Sequence, residues 1–292
     1  MAKVNVREKM REFAGEQSTW CPGCGDFAVL RAMQMAAVNL EIEPHDMVCV
    51  SGIGCAGKIS QYLHTYGFHG VHGRGIPVAT AVKLANRDRL VIAAGGDGDG
   101  YGLGLSHFMH AVRRNIDITY IVMDNHIYGL TTGQASPTSD LGHVTKTSPY
   151  GTVEAPIRPL ETALAGGCGF VSQGFSGNIK HLTEIFERAF AHKGFSLVNV
   201  FSPCVTFNKL NTYDFYREKL VNIDEDPDYD RTNRMAAMQK VVDHYTLISG
   251  VIYEDDRAPY EEQLPNFEKN SLSGADLEIS RDQFDKLLAQ HM

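Results

Sequence analysis

Residues 90–129 constrain the fold of this chain more than any other stretch. Leu90-Val91-Ile92-Ala93-Ala94 is a short apolar run with β-branched members, the pattern of a strand buried on both faces of a parallel sheet. Gly95-Gly96-Asp97-Gly98-Asp99-Gly100 follows, and its glycines free the backbone to turn tightly and approach a bound phosphate. Apolar spacing predicts a helix over 103–114, with Arg113 and Arg114 at the end where the helix dipole favours cations. Residues 116–123 read as the next strand, and its end delivers Asp124-Asn125-His126-Ile127-Tyr128-Gly129. Strand, glycine turn, helix, strand and polar turn point to an α/β fold: a mostly parallel sheet flanked by helices.

The two turns carry complementary chemistry. Asp97 supplies a carboxylate at the end of the first strand, and Asn125 supplies an amide oxygen at the end of the second. If the strands are neighbours, both oxygens reach one Mg²⁺, a hard cation that shares oxygen ligands with phosphates. The backbone carbonyl of Ile127 could complete the protein's share. Gly96-Asp97-Gly98 followed by Asn125 resembles the thiamine diphosphate signature. The competing reading is an ordinary glycine-rich turn and an unrelated Asx turn.

Cysteines form the second pattern. Trp20-Cys21-Pro22-Gly23-Cys24 sets two thiols three apart ahead of a helix predicted over 26–38. Such a pair is either half of a metal site or a redox pair. A four-thiolate site needs two more cysteines. Cys55, in Gly52-Ile53-Gly54-Cys55-Ala56-Gly57-Lys58, follows a strand predicted over 46–51, and Cys204 follows one predicted over 196–201. Ligands of open α/β sheets gather at these carboxyl ends. Cys49, mid-strand, and Cys168, between two glycines, read as structural. Lys58 is either a helix-start lysine or a cation for a substrate carboxylate. His69, His72 and Arg74 share a glycine-spaced loop that reads as a contact for cofactor or substrate. Thr131 and Thr132 stand where hydroxyls could meet diphosphate oxygens, or serve only as turn residues.

Composition sets limits. Of 292 residues, 43% are apolar and 21% charged, which is ordinary for a globular chain. No apolar run approaches the roughly 18 residues of a membrane helix, and no signal-peptide core opens the chain. A cytoplasmic location without membrane contact is expected, where cysteines seldom pair as disulfides. With a sequence pI near 5.8 and no basic stripe, nucleic acid is not an expected partner. Residues 205–292 hold 18 acidic and 10 basic side chains, the whole net charge of −8. We therefore divide the chain into a cofactor-binding domain, 1–204, and an acidic, irregular or helical C-terminal extension, 205–292.

Together these motifs, with Tyr128-Gly129, Gly133-Gln134, Ser136-Pro137-Thr138 and Ser202-Pro203-Cys204, resemble the β subunit of a 2-oxoacid:ferredoxin oxidoreductase over about residues 18–210. The resemblance implies a thiamine diphosphate-binding fold. It implies Mg²⁺ on Asp97, Asn125 and the Ile127 carbonyl, and one [4Fe–4S] cluster on Cys21, Cys24, Cys55 and Cys204. It further assigns Gly54, His72, Gly96, Gly98, Asp99, Tyr128, Gly129, Leu130 and Thr131 to cofactor contact, and Lys58 and Arg74 to the substrate. The implied reaction is reversible oxidative decarboxylation of a 2-oxoacid with coenzyme A, its electrons passing through the cluster to ferredoxin. The cofactor's activating glutamate comes from an α subunit in this family, so an α₂β₂-type heteromer is expected. Lys58, with Leu130 beside it, favours 2-oxoglutarate over pyruvate.

Three other classes compete. A thiamine decarboxylase or synthase without iron leaves the four cysteines idle. A zinc-stabilised binding module leaves Asp97 and Asn125 idle. A non-catalytic relative would not need both Mg²⁺ ligands.

Overall fold

The computed structural model describes residues 6–264, 271–275 and 278–291. Its frame is an eight-stranded sheet: β1 (Met47–Ser51), β2 (Tyr66–His69), β3 (Leu90–Gly96), β4 (Thr119–Asp124), β5 (Phe170–Phe175), β6 (Ser196–Phe201), β7 (Val221–Asn222) and β8 (Ile248–Glu254). The spatial order is β2-β1-β3-β4-β6-β5-β8-β7. All neighbours are parallel except β5 and β8.

Helices cover both faces because strand residues alternate between two cores. Ile92 and Ala94 of β3, and Ile121 and Met123 of β4, join one core with α2 (Asp26–Asn39) and α7 (Ile179–Ala191). Val91 and Ala93, and Tyr120 and Val122, join the other with α4 (Gly75–Ala85), α5 (Leu105–Arg114), α6 (Pro159–Gly166) and α9 (Arg234–Asp243). Four further α-helices among the described residues are α1 (Val6–Glu12), α3 (Ile59–Tyr62), α8 (Tyr213–Lys219) and α10 (Arg281–Ala289).

Most boundaries fall within a few residues of the sequence reading. Two differences have clear causes. The helix expected to begin at 103 is preceded by a widened helical turn, Gly98–Leu103, broken at Gly102, where glycine adopts a non-helical backbone. The C-terminal region contributes β8, an inner strand. Ser249 and Gly250 interrupt its apolar pattern, and Gly250 has φ +122°, which hides it from a period-two reading.

Asn115 ties this region to the rest. It ends α5 in a left-handed conformation (φ 57°), with its Oδ1 accepting from Phe195 N (3.0 Å) and its Nδ2 donating to Arg257 O (2.9 Å). Asn115 is buried. Replacement by Ala leaves buried backbone groups unpaired and puts a less suitable residue in the left-handed region. Asn115→Ala should lower unfolding free energy by about 2–3 kcal/mol, read from the urea midpoint.

Candidate active site

The register of β3 on β4 pairs Gly96 with Met123, so the next residues of both strands leave the sheet side by side. Asp97 is buried at 1% exposure, and Asn125 N points at its Oδ1 from 3.5 Å. Asn125 Oδ1 accepts from Ile127 N at 3.1 Å, closing an Asx turn that His126 completes with φ +57°. Asn208 donates to the Asn125 carbonyl at 3.0 Å, bracing the turn from behind. The structure therefore brings Asp97, Asn125 and Ile127 together as the spacing suggested.

The electrostatics of Asp97 suit a cation. Burial first, then the neighbouring charge of Asp124, pushes its carboxyl up to about 7, although hydrogen bonds from Ser136 and Thr138 oppose the shift. Thr138 Oγ1 lies 2.7 Å from Asp97 Oδ2 and 2.8 Å from Asp124 Oδ1. The single hydroxyl stands between two buried carboxylates whose mutual repulsion a bound Mg²⁺ would offset.

A cavity of about 460 Å³ opens over this turn. Of the expected cofactor residues, Gly54, His72, Gly96, Gly98, Asp99, Tyr128, Gly129, Leu130 and Thr131 line it, and so does Cys55. Glycine is required at 98: a Cβ there would sit 2.1 Å from a Tyr128 ring carbon, and the Tyr128 hydroxyl donates to Gly98 O at 3.1 Å. Lys58 and Arg74 do not line the cavity. Lys58 Nζ donates to Thr19 Oγ1 at 3.1 Å and has no carboxylate partner among the described residues. The Arg74 guanidinium rests on the Gly73 and Leu103 carbonyls. Thr131 Oγ1 donates to Gln134 Oε1 at 2.5 Å, and Thr132 is exposed.

Three loops bring the four cysteines near one another, and Cys55 also lines the cavity. Trp20 Nε1 donates to Cys55 O at 2.7 Å and docks edge-on against Phe27 and Tyr62. Gly25 N donates to Pro203 O at 3.3 Å, joining the Cys21–Cys24 loop to Cys204. A Cβ at Gly129 would lie 3.6 Å from Cys204 Sγ and 3.7 Å from Cys55 Sγ, so both sulfurs face the end of the Asn125 turn. Burial first, then Asp26 and then Cys204, holds the Cys55 thiol up at about 11, with Lys58 opposing. Burial raises Cys24 as well, with Asp26, Cys204 and Cys55 contributing. Four thiols near one another and near a buried acid suit a cationic iron cluster that would hold them as thiolates. Cys49 and Cys168 are buried away from this group.

Sequence reasoning gave no role to Asp124, Thr138 or Asn208. The position of Asp124 at a strand's end, beside Asn125, was the available cue; the other two come from distant loops.

Residues 46–200 match the thiamine pyrophosphate enzyme C-terminal TPP-binding domain, and residues 204–269 match the C-terminal part of the pyruvate ferredoxin oxidoreductase β subunit. The β subunit of 2-oxoacid:ferredoxin oxidoreductase 1 from Aeropyrum pernix is 42% identical over 258 residues, covering 85% of this chain and 81% of that one. The chain belongs to the 2-oxoacid:ferredoxin oxidoreductase β subunits. The 2-oxoglutarate synthase subunit KorB of Archaeoglobus fulgidus is 40% identical, covering 70% of this chain and 80% of its own. Among solved structures, 2-oxoglutarate:ferredoxin oxidoreductase from Magnetococcus marinus, with 2-oxoglutarate, coenzyme A and succinyl-CoA bound, has a TM-score of 0.88 and 37% identity. It covers 96% of this chain and 95% of that one. This β subunit is thus an oxidoreductase chain with a thiamine pyrophosphate-binding domain. Among the described residues no helix is long and apolar enough to cross a membrane.

The buried acid gives a pH prediction. In the folded chain without a divalent cation, Asp97 titrates near 7 rather than at its usual 3.8. A raised acid contributes stability below its unfolded value that is lost as pH rises through its folded value. The cation-free chain should therefore have a lower urea midpoint at pH 8 than at pH 5, and Asp97→Asn should shrink that difference.

Proposed function

We propose that this β subunit catalyses oxidative decarboxylation of 2-oxoglutarate to succinyl-CoA, with electrons leaving through one [4Fe–4S] cluster to ferredoxin. The observation that carries this reading is the convergence of Cys55 and Cys204 on Gly129, the residue that closes the Asp97–Asn125 turn. A cluster held by those thiols would stand next to a diphosphate bound at that turn.

Asp97, Asn125 and the Ile127 carbonyl would hold Mg²⁺, and Cys21, Cys24, Cys55 and Cys204 the cluster. The thiamine cofactor supplies the electron sink for decarboxylation, and the cluster supplies one-electron transfer. This chain's residues bind and orient: Gly96 and Gly98 let the backbone approach the diphosphate, while Gly54 and Leu130 wall the cavity.

Three observations support 2-oxoglutarate. Lys58 lacks a carboxylate partner among the described residues, it lies three residues from the cavity-lining Cys55, and relatives carry that substrate in their names. A distal substrate carboxylate would give Lys58 the charge partner it lacks.

Anaerobic co-purification with the α subunit should yield about four irons and sulfides and one thiamine diphosphate per β chain. Zinc in place of iron would overturn the reading. Cys204→Ser should lower iron content and bleach the brown colour while leaving Mg²⁺-dependent thiamine binding in place. Lys58→Ala should raise the KM for 2-oxoglutarate by about tenfold or more, as loss of a charged contact does, and that for pyruvate far less. Equal effects on both substrates would remove Lys58 from the specificity assignment.

A further inference from the structure

Behind Asp97 a chain of buried hydrogen bonds crosses the sheet, and its direction can be read from its far end. Gln173 of β5 is buried, and its Nε2 donates to the carbonyls of Thr246 (2.6 Å) and Ile248 (2.7 Å), at the entrance to β8. With both amide hydrogens committed there, its Oε1 is the end that faces Asn199. Asn199 of β6 is also buried: its Nδ2 donates to Gln173 Oε1 at 2.9 Å, and its Oδ1 accepts from the Tyr101 hydroxyl at 2.9 Å. The same Nδ2 donates to Asp124 Oδ2 at 3.3 Å.

Asp124 thus receives a hydrogen on one oxygen from Asn199, and His126 N donates to the other at 3.4 Å. Thr138 has one hydroxyl hydrogen and two carboxylate neighbours, Asp97 Oδ2 at 2.7 Å and Asp124 Oδ1 at 2.8 Å. Because Asp124 is supplied by two other donors, that hydrogen is free to go to Asp97. The Ser136 hydroxyl, 3.4 Å from Thr138 Oγ1, is a second one beside this carboxylate. Asp97 is held through Oδ2, while its Oδ1 faces the Asn125 turn, with Asn125 N 3.5 Å away.

We propose that Thr138 is a positioning residue that makes Asp97 offer a cation one oxygen, Oδ1, and that it thereby sets the preference of the site for Mg²⁺ over larger cations. The assignment rests on the reading of Asp97 and Asn125 as Mg²⁺ ligands given above. Mg²⁺ demands near-ideal octahedral geometry, which a carboxylate free to rotate does not provide. Ca²⁺ accepts one or both oxygens of a carboxylate in looser geometry. A hydroxyl bonded to Oδ2 opposes both the rotation and the two-oxygen mode. Partners of this kind, bonded to a metal ligand from behind, orient it for the ion. The support extends through Asp124, Asn199 and Gln173 to the carbonyls at β8, so the C-terminal region takes part in holding a ligand on β3.

Calorimetry on the complex with the α subunit, stripped of cofactor and divalent metal, tests this. Thiamine diphosphate is titrated in with either Mg²⁺ or Ca²⁺ as the sole divalent cation. Thr138→Val should raise the Mg²⁺-dependent Kd about tenfold or more, the usual scale when a metal ligand loses its partner. The Ca²⁺-dependent Kd should rise less than about threefold, because that ion tolerates a turned carboxylate. Thr138→Ser keeps the hydroxyl and should match the unaltered complex with both ions. Thr138→Ala should behave as Thr138→Val does, and it replaces Thr138→Val if that variant does not fold. Equal losses with both ions, no loss with Mg²⁺, or a Thr138→Ser variant as weak as Thr138→Val overturns the assignment. If the unaltered complex bound thiamine diphosphate without any divalent cation, the Mg²⁺ reading would fall and this assignment with it. A Mg²⁺ requirement that the Thr138 variants leave unchanged would remove the assignment alone.

Discussion

The parallel pairing of β3 with β4 is the constraint on which the site depends. Because Gly96 stands opposite Met123, a carboxylate and an amide from residues far apart in sequence leave the sheet at one height. A shift of one residue would turn every side chain of a strand to its other face and separate the two ligands. The register is itself held by the two cores, since Ile92 and Ala94 fit one face and Val91 and Ala93 the other. Packing energy spread over the whole sheet thus becomes positional accuracy at two oxygens.

Accuracy there comes with electrostatic tension. Asp97 and Asp124 are both buried and share one hydroxyl, that of Thr138. The thiols sit close to Asp26, a buried acid whose carboxyl burial pushes up to about 6. Buried acids and thiols are concentrated at the carboxyl ends of the strands, where His126, His72 and Lys58 are the nearby cationic or potentially cationic side chains. Such a surface is stable chiefly when cations complete it, which links folding to cofactor loading.

How much could be read from the sequence depended on how local the determinant was. The strands around 90–129 and the helix near 26 follow from periodicity within single segments, and the structure returns them with small boundary changes. That Asp97 would meet Asn125, and that the four cysteines would meet, was legible because strand ends gather in an α/β sheet. What escaped depends on distant partners. Thr138 matters only because a long loop returns it to the two carboxylates, and Asn208 only because it reaches the Asn125 carbonyl. Strand β8 escaped because Ser249 and Gly250 break its pattern, although its pairing with β5 makes it an integral strand. Lys58 and Arg74 were assigned to the substrate; neither lines the cavity, Lys58 bonding Thr19 and Arg74 the Gly73 and Leu103 carbonyls.

β8 has a consequence for how the chain can be handled. Every residue of β5, Phe170–Phe175, is buried, and β8 supplies the hydrogen-bonding partner on one of its sides. A fragment ending near Cys204 would keep the ligands of the site yet leave β5 as a naked, apolar sheet border. Such borders recruit strands from other molecules. The acidic C-terminal region, whatever else it contacts, therefore acts as a guard against self-association, and its surplus of negative charge adds repulsion between copies.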